Sequence, residues 1–301
     1  MAEPLGDSIF KFRSIVFATD FSPASQNAGS YASALSRHFE AQLIVVHAFT
    51  LHQAALEMEM EKMKASHQRI ILNQDLLLAA QLLKSGAGET EAVLVEGDPR
   101  EVIPAFAQLK RPALIVAGTH GGGSIDRLLL GSTAEGILRH SSGPALTVGP
   151  RVNQLGHESL KIGRILYATD CTAEGAHAAP LAIALADSFS AELDVLNVAH
   201  SHDIDRPEQM NRLQEYFYGA VEKVIPSEVR HICQPHTFVS VGSPHSQILA
   251  HIRDRAIDLL VLGLRRNSHL GMQNRTAGVF PIVVESTCPV VTSAFGSIYK
   301  P

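Results

Sequence analysis

The chain repeats itself, and the repeat constrains its fold more than any other feature. Ile15-Val-Phe-Ala-Thr-Asp20 returns as Ile165-Leu-Tyr-Ala-Thr-Asp170, an offset of 150 residues. Leu43-Ile-Val-Val-His47-Ala48 returns as Leu193-Asp-Val-Leu-Asn197-Val198 at the same offset. Gly97-Asp-Pro99 then returns as Gly242-Ser-Pro244, Gly118 as Gly263 and Gly143-Pro144 as Cys288-Pro289, now offset by 145. Five anchors in one order make the halves copies of one unit, the second shortened by about five residues after its second strand. At 301 residues the chain has the length of two domains, and 46% hydrophobic residues supply two packed cores. The expected division is a first domain over 1–150, a linker over 151–160 that lacks apolar periodicity, and a second domain over 161–301.

Within the first copy, apolar runs alternate with helical patterns. Arg13–Thr19 reads as a strand. Ser22-Pro23 supplies an N-cap and a first-turn proline. Ala24, Ala28, Tyr31, Ala32, Leu35 and Phe39 then follow helical spacing over 23–39. Leu43–Phe49 is a second strand, and a long helix is expected over His52–Ser85, with Met58, Met60 and Met63 filling a core or helix contact. Glu91–Val95, Ala113–Ala117 and Ala145–Val148 complete five strands, with a helix from Pro99 to Lys110. Strands alternating with helices predict an α/β fold with a parallel sheet in each copy.

Between the fourth strand and the next helix lies Gly118-Thr-His-Gly121-Gly-Gly-Ser-Ile-Asp-Arg-Leu-Leu-Leu-Gly131-Ser132-Thr133. Glycines here let backbone N–H groups approach an anion that a side chain would keep away. Ser132 and Thr133 fall where a helix begins, where free N–H groups and the helix dipole favour phosphate. No Gly-Lys-Ser/Thr follows, so this is not a P-loop, and it contains no G-x-G-x-x-G.

The spacing Gly118-x2-Gly121-x9-Gly131-Ser132 resembles the nucleotide-binding signature of the universal stress protein family. In that family's ATP-binding branch, a GxxG turn and a later Gly-Ser cradle the phosphates. The resemblance covers the chain as two copies and implies two tandem Rossmann-like (HUP-type) domains, each a five-stranded parallel sheet of order 3-2-1-4-5. The winding then reverses between strands one and four, where ligands bind in doubly wound sheets. The implied cofactor-binding residues are Ala18, Thr19 and Asp20 after strand one, Ala48 after strand two, and Gly118, His120, Gly121, Gly131, Ser132 and Thr133 along the loop. Asp20 is suited to ribose hydroxyls, and equally to capping the helix behind Ser22-Pro23. The implied ligand is ATP, with Mg²⁺ bridging its phosphates. AMP and cyclic nucleotides stay open.

In the second copy the same columns have changed. Gly263 survives, but Gly121 becomes Arg266, Gly131 becomes Thr276 and Ser132 becomes Ala277, with Pro281 early in the following helix. Side chains now stand where backbone must approach phosphate, so one live site and one degenerate copy are expected, although Asp170 is retained.

A net charge of −5 without a basic block lacks the footprint of a nucleic-acid binder. No apolar run approaches 18 residues, and no secretory leader is visible at the start. With Cys171, Cys233 and Cys288 widely spaced, the expectation is a cytoplasmic chain. His200, His202, Asp203 and Asp205 fall on an expected flexible loop, where the convergence of three or four ligands that a metal needs is not expected. His231, His236, His245 and His251 read as ordinary polar residues. The neighbouring Asp170 argues against Cys171 as a nucleophile. No catalytic residue is assigned.

The resemblance therefore implies a stress-response regulatory protein that binds ATP in its first domain. Its two copies would pack as a pseudo-dimer, with homodimerisation open. The alternatives are a slow ATPase or phosphoryl-transfer enzyme, for which Asp126 is the nearby acid, and a scaffold whose loop is a relic. Arg127 is as readily a solvated charge as a phosphate ligand.

Overall fold

A computed structural model describes residues 11–50, 59–83, 89–119, 130–155, 160–199, 207–224, 235–264 and 278–294. Two compact units divide the chain, one formed by Phe12–Leu160 and the other by the residues from Lys161 onward together with Lys11.

In the first unit the strands are β1 (Ser14–Ala18), β2 (Gln42–Phe49), β3 (Thr90–Glu96), β4 (Ala113–Gly118) and β5 (Ala145–Val148). Between them run α1 (Pro23–Phe39), α2 (Glu59–Leu83), α3 (Pro99–Leu109) and α4 (Ser132–His140). The strands are parallel in the order β3-β2-β1-β4-β5. β1 sits between β2 and β4, with Ala18 opposite Val46 on one side and Ala117 on the other. A parallel sheet covered on both faces needs strands that are apolar throughout, and Ile15, Val16, Ile44, Val45, Val46 and Val116 are fully buried.

The caps follow the sequence. Ser22 accepts from the Ser25 N–H and Pro23 opens α1, which ends at Glu40 in the left-handed region (φ 51°). Asp98 caps α3 in the same way by accepting from the Arg100 N–H. The α1 face carrying Ala28, Tyr31, Ala32, Leu35 and Phe39 is buried, as its spacing predicts. Of the core or helix-contact role expected for the methionines, the core half does not hold at Met63, which is 72% exposed. Met58 and the side chain of Met60 lie outside the described residues.

The second unit repeats the plan with β6 (Arg164–Ala168), β7 (Glu192–Ala199), β8 (His236–Val241), β9 (Leu259–Leu264) and β10 (Val290–Ala294). Their order, β8-β7-β6-β9-β10, reproduces that of the first unit. The expected α/β architecture, two tandem parallel sheets of order 3-2-1-4-5, is the one observed. The helices are α5 (Ala173–Ala176), α6 (Ala179–Phe189), α7 (Pro207–Val224), α8 (Pro244–Asp254) and α9 (Val279–Glu285).

Two departures from the first unit have local causes. Where α1 is continuous, its counterpart is broken into α5 and α6. Pro180 has no N–H to give and its ring crowds the preceding turn, so a new helix starts around it. Likewise α9 begins at Val279, whereas the 145-residue offset from Ser132 points to 277 (132 + 145), and Pro281 stands in its first turn. Among the described residues no helix is long and apolar enough to cross a membrane.

Candidate functional site

The carboxyl ends of β1, β2 and β4 meet where the winding of the first sheet reverses. Beyond β1 the chain turns sharply, with Phe21 at φ 63°. Four side chains hold that turn. The Ser22 N–H and hydroxyl both donate to Asp20 Oδ1, at 3.0 and 2.5 Å. The Phe21 N–H donates to Thr19 Oγ1 at 3.0 Å. Ser25 donates its hydroxyl to the Ser22 carbonyl at 2.9 Å, which leaves Thr19 to donate to Ser25 Oγ at 3.1 Å.

From β2, His47 Nδ1 donates to the Thr19 carbonyl at 2.8 Å, and its ring lies against Phe21 with centroids 4.5 Å apart. Ala48 follows, half-buried, paired with Val95. Asp20 is exposed at the rim while Ala18 and Thr19 are buried beneath it.

The role of Gly118 differs from the one expected. Its φ is not in the left-handed region. A Cβ there would lie 3.0 Å from the Ala24 carbonyl oxygen and 3.3 Å from the Ser25 backbone nitrogen. The first turn of α1 packs directly on the end of β4, so the glycine brings the Asp20 turn and the glycine loop together.

At the other end of the loop, the Gly131 N–H donates to the Thr119 carbonyl at 2.8 Å, closing the loop at its base. Gly131 is the N-cap of α4 and has no side chain to offer, while Ser132 and Thr133 are exposed in the first turn. Among the described residues, the first N–H groups of α4 thus receive no cap from their N-cap side chain, unlike those of α1 and α3. Gly136, one turn on, lies against the Arg100 stem, which a Cβ would meet at 2.4 Å. Arg100 is paired with Asp98 and holds that carboxyl down at about 2.

Ala18, Thr19, Asp20, Ala48, Gly118, Gly131, Ser132 and Thr133 thus lie around one edge of the sheet. His120, Gly121, Asp126 and Arg127 lie outside the described residues. So do Arg266, Thr276 and Ala277 of the second copy, and His200, His202, Asp203 and Asp205. Sequence reasoning missed the Phe21–His47 pair, although His47 stands in a run that defines the repeat and Phe21 directly follows another.

The second unit keeps the turn and changes its furniture. Asp170 Oδ1 accepts from the Thr172 N–H and hydroxyl at 3.1 and 2.6 Å, and Cys171 takes the positive φ of Phe21 at 59°. Asn197 replaces His47 and donates to the Thr169 carbonyl at 2.9 Å. The aspartate hook is therefore a capping device in both copies, and any ligand role for Asp20 comes in addition to it. Burial first, and then the Asp170 charge, push the Cys171 thiol up to about 11, which leaves it a poor nucleophile.

The second unit also holds a charged cluster away from this edge. Asp194, fully buried in β7, accepts from His251 Nε2 at 3.0 Å and from Arg255 Nε and Nη2 at 3.0 and 3.3 Å, with His236 Nδ1 at 3.5 Å. His251 thus hydrogen-bonds a buried carboxylate that His236 also faces, a polar role for both. Among the described residues no group of three or more His, Cys, Asp or Glu is placed to hold a metal.

The chain's relatives agree with this architecture. The model of the universal stress protein family matches residues 11–149 and again residues 161–291. A universal stress protein of Methanocaldococcus jannaschii is 27% identical over 150 residues, covering 48% of this chain and 84% of that protein. One of Thermus aquaticus is 30% identical over 142 residues, covering 46% of this chain and 98% of that protein. A solved universal stress protein from Archaeoglobus fulgidus superposes on 93% of this chain and 96% of its own, with a TM-score of 0.64 at 18% identity, and so shares the fold. With two successive matches and a doubled sheet, the chain belongs to the universal stress protein family.

Proposed function

We propose that this protein is a cytoplasmic, ATP-binding regulator of a stress response, with one nucleotide held in the first unit at the β1/β4 reversal. The observation that carries the reading is the uncapped start of α4, drawn up to the end of β4 by the Gly131–Thr119 hydrogen bond and facing the Asp20 turn across Gly118. Phosphate suits such a terminus because unpaired N–H groups and the helix dipole act together on one anion. Asp20, exposed at the rim, would accept from ribose hydroxyls. Ala48 at the end of β2 supports the base through its backbone, and Mg²⁺ would bridge phosphate oxygens.

Ser132 and Thr133 add hydroxyls to the phosphate end, and Gly121 and His120 belong to the same cradle by their place in the motif. The occupied loop would be the regulatory output, its conformation reporting nucleotide to a partner. The second unit, with its altered loop, is read as a structural copy.

Calorimetric titration of nucleotide-stripped protein with Mg-ATP tests this, beside a Gly131→Arg/Ser132→Ala variant. Binding by the wild type and loss of at least tenfold in affinity by the variant, with circular dichroism unchanged, is the expected result. Equal heats from both proteins would remove α4 from the site. Parallel titrations with AMP and cyclic AMP rank the phosphate requirement.

A further inference from the structure

Helix α2 is apolar on two opposite sides. Toward the sheet it buries Leu76 and Ala80. On the far side Met63, Ile70, Ile71, Leu77, Leu78 and Leu82 are 72, 57, 44, 47, 56 and 78% exposed. At 100° per residue these six fall within about 140° of arc, a stripe running about 28 Å along the helix. A helix apolar on both sides is not fully served by one sheet, and an exposed apolar face marks a contact surface.

We propose that this face is covered by the same face of a second copy of the chain, α2 against α2 in an antiparallel, twofold pair. Area argues for it. The six side chains offer on the order of 400 Å² of apolar surface. That is most of the apolar share of one partner's half of a standard homodimer interface, about 65% of about 800 Å². Self-complementarity argues for it too. His67, Gln74 and Gln81 run down the middle of the stripe with aliphatic columns on either side, so one stripe can mesh with its own twofold image. The equivalent helix of the second unit, α7, exposes Tyr216 and Tyr218 and shows no such aliphatic stripe among its described side chains. Pairing of α2 with α7 is therefore the poorer match. Antiparallel alignment sets opposite helix dipoles side by side and brings Lys64, near the start of α2, to the negative end of its mate.

Sedimentation equilibrium on the full chain, wild type and Ile70→Glu/Leu78→Glu, tests the proposal. The expected result is a wild-type dimer whose dissociation constant rises at least about 100-fold in the variant, with unchanged circular dichroism. A Tyr216→Glu control on α7 should stay dimeric. Should the double glutamate variant fail to fold, Met63→Gln/Leu82→Gln, at the two most exposed positions of the stripe, reads out the same weakening. A wild type monomeric at ~100 μM overturns the proposal, even if its α2 face then captures lipid vesicles or another protein. A dimer indifferent to the α2 substitutions overturns it as well.

Discussion

Replacing Asp194 with Asn should destabilise the second unit at neutral pH and lose most of that effect in acid. The side chain is fully buried on β7, at a position where the first copy has the apolar Ile44. Burial works against its charge. Hydrogen bonds from His251 and Arg255, with the Arg255 charge, outweigh that penalty and hold the carboxyl at about 2 against an ordinary 3.8. Each pK unit is worth about 1.4 kcal/mol, so the charged form contributes about 2 kcal/mol to folding at pH 7. Asn keeps the volume and loses the charge. Arg255 is one-third exposed and can turn to water, which keeps the loss below that of a stranded buried ion.

The folded-state pKa lies below the unfolded one. The stabilisation is therefore complete above about 4 and is lost as pH falls through about 2. Urea midpoints for wild type and Asp194→Asn, followed by circular dichroism from pH 7 down to pH 3, should differ by the equivalent of about 2 kcal/mol at neutrality, with close to half of that gap gone at pH 3. A gap that stays constant with pH, or is missing at pH 7, would refute the electrostatic reasoning.

Three further outcomes are expected. Gly118→Ala should lower the melting temperature of the first unit by several degrees, about 1–2 kcal/mol, and weaken Mg-ATP, because the added Cβ meets the backbone of Ala24 and Ser25 rather than a movable side-chain tip; an unchanged melting curve would contradict the close approach. Gly136→Ala, which helix propensity alone would favour by about 1 kcal/mol, should instead destabilise, since Arg100 Cβ and Cγ occupy the space; thermal scans give the sign. Alkylation of Cys171, mapped by peptide mass, should keep accelerating well past pH 9 because its thiol is pushed up to about 11; a plateau near pH 8 would show an ordinary thiol.

How much of this was legible beforehand depended on whether the cause was local. The repeat, the strands and the Ser22-Pro23 and Asp98-Pro99 helix starts were readable because apolar runs and capping residues act within a few positions. The strand order came through the family resemblance. Pro180 was equally visible, and it breaks the helix that α1 keeps whole. The charged cluster was half visible. Asp194 is conspicuous in an apolar strand, but its partners stand 57 and 61 residues away and only folding brings them to it.

The positive φ expected of the loop's glycines does not hold at Gly118, where the demand for a bare backbone is a close approach instead. The pressure on it comes from α1, nearly a hundred residues earlier. In α2, periodicity told that the helix was apolar but not which side met the sheet, so Met63 was assigned to a core or helix contact without a choice between them. The Phe21–His47 pair needed the left-handed turn at Phe21, which no propensity predicts for an aromatic residue.

The most direct test of the account is the number of nucleotides bound per chain, measured by equilibrium dialysis of the stripped 301-residue chain against labelled Mg-ATP. One per chain, abolished by Gly131→Arg/Ser132→Ala, is the predicted result: a live first copy and a second that keeps the aspartate hook without the phosphate cradle. Two per chain would show that the altered loop of the second copy still binds. None at all would contradict the claim that the uncapped start of α4 is a phosphate site.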